Sequence, residues 1–112
     1  MRLKIAILAL AAAASAAVLS AETWKNAPFL DAQCLDEFQS NPDKHTAKCA
    51  RACEDGGYGI LTPDGKFLRF DAAGNTKAVE ALKDLKKTDH LHATVEGTRD
   101  GDQIKVTSFQ FD

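Results

Sequence analysis

YGILTPDGKFLRF, residues 58–70, decides the fold of this chain. Residues 58–61 are strand-forming, and 66–70 repeat that character after Thr62-Pro63-Asp64-Gly65. Proline presets the second position of a tight turn, and Asp-Gly supplies the rest of it. The stretch therefore reads as a hairpin. Phe67 and Leu68 are adjacent, so alternation fails there and both faces of the return strand are expected to be partly covered. Toward the C-terminus, 71–75 is a loop with Asn75 as an N-cap. Residues 76–87 then follow a helical period, with Ala78, Leu82 and Leu85, joined by Val79 and Ala81, as the apolar stripe. The lysines at 77, 83, 86 and 87 lie off that stripe and read as a solvated face. Residues 90–96 alternate with period two: Leu91, Ala93 and Val95 on one face, His90, His92, Thr94 and Glu96 on the other. Asp100-Gly101 signals a second hairpin. Its return strand alternates Ile104, Val106, Ser108 and Gln110 with Lys105, Thr107, Phe109 and Phe111.

Toward the N-terminus, Gly56-Gly57 ends a helix predicted over 44–55, with Asp43 as N-cap after the Asn41-Pro42 turn. On a helical wheel Lys44, Lys48, Arg51 and Asp55 share one stripe, while His45, Cys49, Ala52 and Cys53 lie opposite and point inward. A short first strand is expected over 29–32, entered at Pro28, which has no N–H to give a ladder. Trp24 reads as a hydrophobic anchor on the domain surface. The order is strand, cysteine helix, strand, strand, helix, strand, strand. Mainly β with two helices, it fits a small five-stranded OB-like barrel, with an open α+β sheet as the alternative.

The N-terminal segment 1–21 has Arg2 and Lys4 followed by an uncharged apolar run, 5–19, ending in small residues. That is the pattern of a secretory signal cut after Ser20 or Ala21. The run is shorter than the about 20 residues that a membrane span needs, so no stable membrane insertion is expected after cleavage. Residues 22–112 then form a single OB-like domain, periplasmic or secreted. Without Arg2 and Lys4 the chain has 12 basic against 16 acidic side chains, a net charge of −4. Such a balance argues against nucleic acid and anionic membrane, which call for a basic face.

All three cysteines, Cys34, Cys49 and Cys53, fall in one 20-residue stretch. Export places them where disulfides persist. Cys49 and Cys53 within one helix are poorly directed for the disulfide torsion, so the bond expected is Cys34 with Cys53 or with Cys49. The odd thiol is then free or pairs with another chain, a route to a homo-oligomer. A second reading is a soft-metal site, zinc or copper, built from Cys34, His45, Cys49 and Cys53, with His90 and His92 as additional ligands. A third is a thiol redox protein, although there is no C-x-x-C and no orienting group for a thiol–His45 pair. Asp31, Asp36 and Asp43 read as surface or capping carboxylates. Under the disulfide reading, His45→Ala is expected to leave stability nearly unchanged.

Asp31 with Cys34, His45-Thr46-x-x-Cys49-x-x-x-Cys53, Gly57-Tyr58-x-Ile60, Asp64-Gly65-Lys66, Asp71 with Gly74-Asn75, and Val95-x-Gly97 before Asp100-Gly101 and Ile104-x-Val106 together resemble small exported bacterial OB-fold-like proteins of unknown function. The resemblance spans most of residues 22–112. It implies that Cys34, His45, Cys49 and Cys53 form one unit, and it carries no activity. The chain is expected to be a non-enzymatic binding or structural domain stabilised by its cysteines, with no partner or certain cofactor legible.

Overall fold

The computed structural model describes residues 20–112. The segment assigned to a signal lies, but for its last two residues, outside the described residues. Five strands close into a barrel: β1 (Ala21–Asp31), β2 (Tyr58–Leu61), β3 (Phe67–Phe70), β4 (His92–Asp100) and β5 (Gln103–Phe111). Their order around the barrel is β1-β2-β3-β5-β4, the arrangement of a small OB-like barrel; the open sheet is excluded. All neighbours are antiparallel except β3 and β5, which run parallel over only two residue pairs, Arg69 with Gln103 and Phe70 with Ile104. Three short α-helices accompany the strands, α1 (Leu35–Phe38), α2 (Ala47–Ala52) and α3 (Ala72–Asp84), where the sequence suggested two. No helix among the described residues is long and apolar enough to cross a membrane.

The first strand is far longer than the 29–32 expected. Its residues from Ala21 to Pro28 run along β4 and its last three residues pair with β2, so one strand serves both sides of the closure. A register shift between Trp24 and Ala27, with Asn26 at φ 50°, bends it in the middle. Such a bulge breaks the alternation on which strand recognition rests.

A second bulge explains the phase of β5. Glu96 pairs with Ser108 and Gly97 with Val106, which leaves Thr107 outside the ladder register, its hydroxyl donating to Glu96 O at 3.2 Å. Before Thr107 the inward residues are Ile104 and Val106; after it Phe109 and Phe111 pack against the core while Ser108 and Gln110 are exposed. Both phenylalanines reach Phe29, at centroid separations of 5.6 and 4.9 Å, and Tyr58 stacks on the same ring at 5.1 Å. Large rings so placed supply most of a small core.

Helix α3 starts four residues earlier than predicted. Asp71, not Asn75, is its N-cap, accepting from Gly74 N–H. Asn75 instead accepts from Tyr58 N–H at 2.9 Å. The buried stripe is Gly74, Ala78 and Leu82. At the other end, the Arg51 guanidinium of α2 donates to the carbonyls of Leu82 and Leu85 at 2.8–3.1 Å, closing the orphan acceptors of the last turn.

Two glycines test this closure. A Cβ on Gly59 would collide with the Leu68 carbonyl oxygen across the β2–β3 ladder, whereas Gly65 has open space but a φ of +84°. Gly65→Ala should cost about 1 kcal/mol from its left-handed backbone. Gly59→Ala should cost about 3 kcal/mol, because the strand must shift. Urea denaturation of both variants checks the order.

Candidate functional site

The 32–57 connection between β1 and β2 carries the chemistry. A 3-10 turn (Ala32–Cys34) leads into α1, a second (Pro42–Lys44) precedes α2, and a third (Glu54–Gly56) precedes β2. The helix predicted over 44–55 is thus shorter, and its cap is Thr46, whose hydroxyl accepts from Cys49 N–H at 3.1 Å. Ala47 and Ala50 form its buried face, while Cys49 and Cys53 are half-buried and Ala52 is exposed. The wheel therefore placed the cysteines too deep. Asp43 does not cap this helix.

Asp31 and His45 are both 0% exposed, and His45 Nε2 donates to Asp31 Oδ2 at 2.6 Å. Asp31 Oδ1 accepts from Cys34 N–H at 2.9 Å, capping the first 3-10 turn. The Phe38 ring packs edge-on to the imidazole at 5.3 Å. His45 Nδ1 is buried without a hydrogen-bond partner among the described residues. The sequence suggests a surface or capping carboxylate at Asp31, and the surface placement is overturned by its full burial. It does cap, but it is also the buried centre of the loop. The signal available was its position three residues before Cys34 at a strand end.

All three cysteines are free thiols in the structure. Donor atoms of Asp31, Cys34 and Cys53 lie within 4.8 Å of one another. Of the residues singled out from sequence, Cys34 and Cys53 meet, and His45 joins them through Asp31. Cys49 is not in this group. His90 and His92 lie elsewhere: His92 Nε2 is 2.8 Å from Asp43 Oδ1, and His90 Nε2 is 3.9 Å from Asp43 Oδ2. Burial, then the Asp31 carboxylate and Cys53 beside it, push the Cys34 thiol up to about 12. Such a thiol holds little thiolate at neutral pH and is a poor nucleophile. Burial likewise pushes the Tyr58 hydroxyl up to about 12, so it remains a donor, to Ala50 O at 2.6 Å.

No family model, curated protein or solved structure matches this chain.

A groove of about 560 Å³ is lined by none of the thiol-cluster residues. Trp24, Ala27, Pro28, Pro42, Leu61, Pro63 and His92 are among its lining residues. The chain has one tryptophan and three prolines, and all four are here, so three fixed backbone corners frame one large ring. His92 fixes the rim. Its Nδ1 is 3.1 Å from Asn26 O at the β1 bulge, and its Nε2 meets Asp43. In the sequence each proline marks only a local strand start or turn, and barrel closure is what brings the three together.

The expectation that His45 is dispensable under a disulfide does not survive this geometry. His45→Ala leaves Asp31 buried without its partner and should cost about 3–5 kcal/mol whatever the state of the thiols. Thermal and urea unfolding of the oxidised and the reduced variant would show it.

Proposed function

We propose that this chain is an exported, non-enzymatic binding domain: an OB-like barrel that takes a compact, largely apolar ligand in the Trp24 groove, with the 32–57 loop stapled by a Cys34–Cys53 disulfide. The observation that carries the reading is the convergence of the only tryptophan and all three prolines on one 560 Å³ groove. A preformed apolar pocket with a few polar groups at its rim is the usual form of a small-ligand site. Both ring nitrogens of His92, the imidazole at that groove, face fixed acceptors, which favours binding over acid–base chemistry there. The signal-like segment 1–21, and the resemblance to exported OB-like proteins of unknown function, support export. The net charge of −4 for residues 22–112 supports a partner other than nucleic acid.

The staple is supported by the approach of Cys34 to Cys53. A bond there closes a loop of about 20 residues, worth about 3 kcal/mol by chain-entropy reasoning. The raised Cys34 thiol supports a structural bond over a redox-active one, since labile catalytic disulfides depend on stabilised thiolates. Cys49 is then the spare thiol.

Two measurements test this reading. Protein recovered from an oxidising compartment should show one free thiol per chain, lost in Cys49→Ala; three free thiols would overturn the staple. The apolar dye ANS should bind the folded chain and quench Trp24 emission, with at least tenfold weaker binding in Trp24→Ala followed by dye fluorescence. Unchanged dye binding in that variant would overturn the groove.

A further inference from the structure

The end of β1, the first 3-10 turn and the C-terminal end of α2 deliver one carboxylate and two thiols to one point. We propose that in the reduced chain Asp31, Cys34 and Cys53 bind one soft divalent cation of the zinc class, so that the cluster has two alternative states, a disulfide and a metal thiolate. This shares with the proposed staple the approach of Cys34 to Cys53, and is independent of the groove.

Two observations carry it. The first is spacing. Donors on a tetrahedral zinc ion stand about 3.3–3.8 Å apart. Those of Asp31, Cys34 and Cys53 are already within 4.8 Å of one another, a gap that a small contraction closes. The second is the fixing of Asp31. Each of its oxygens accepts one hydrogen bond, from His45 Nε2 and from Cys34 N–H, which leaves lone pairs on both for a cation. A ligating carboxylate held by an outer hydrogen bond is the normal support of a metal site.

The exchange balances. An external dithiol reduces the disulfide, giving two electrons and two protons to the Cys34 and Cys53 sulfurs and becoming a disulfide itself. The cation then displaces both thiol protons to solvent. The donor set differs from the Cys34, His45, Cys49 and Cys53 set suggested by spacing alone: Asp31 replaces Cys49 as a ligand, and His45 acts behind it.

The test is a cadmium titration of the full chain, reduced with a phosphine and freed of it without oxygen. Near-ultraviolet thiolate charge transfer is the readout, and zinc is the competitor. Expected are one cadmium per chain, two protons released and no binding by the oxidised chain. Cys49→Ala should bind as the parent does, while Cys34→Ser and Cys53→Ser should each lose about 100-fold or more. Asp31→Asn is not required, since it can unfold the loop. Both serine variants change half-buried positions, and circular dichroism verifies their fold. Charge transfer that needs Cys49, or that persists in Cys53→Ser, overturns the site, as does the absence of binding by the reduced parent. The thiol count of the oxidised protein is read separately, so failure of the staple and failure of the metal site are distinguishable.

Discussion

The contact between Asp31 and His45 is the constraint on which the long 32–57 connection depends. A connection of this length lacks a sheet to satisfy its backbone, and it needs internal anchors to hold one conformation. Asp31 supplies them in both directions. One oxygen caps the turn that follows β1; the other holds a ring 14 residues further on. Burying such a pair is costly unless each partner is oriented, so the same contact that fixes the loop also forbids it from relaxing.

From that anchor the loop reaches out to the rest of the barrel through several side-chain and backbone contacts. Arg51 closes the C-terminal end of α3, the Tyr58 hydroxyl holds the Ala50 carbonyl, and Asp43 meets His92 at the groove rim. The thiol cluster and the groove are thus separate places joined through one connection. A change in the bonding state of Cys34 and Cys53 acts on the segment that also carries Pro42, one wall of the groove.

Much of the fold was legible because both hairpins announce themselves by turn chemistry, Pro63-Asp64-Gly65 and Asp100-Gly101, and because Leu91, Ala93 and Val95 alternate cleanly. What failed to read was what bulges and caps control. The left-handed Asn26 hid the first half of β1, and Thr107, outside the ladder register, reversed the faces of Phe109 and Phe111. Asp71 and Thr46 won the caps from Asn75 and Asp43 because those two side chains are engaged by Tyr58 and His92. At the site, Cys34 and Cys53 were legible from spacing, but the depth of Asp31 was not. Burial of a carboxylate is set by a partner 14 residues away, and no local pattern records it.

The parallel junction of β3 with β5 is the barrel's narrowest join. Two residue pairs make it, extended by Arg69 N–H to Asp102 O and Asp71 N–H to Ile104 O. The Asp71 carboxylate also accepts from Val106 N–H while capping α3. The contacts here join residues more than 30 apart in sequence, so their loop-closure entropy is met late in folding. This is the seam where amide protons should exchange first as the cylinder breathes, and one aspartate spans it: the start of α3 and the last closure of the barrel form, and come apart, as one event.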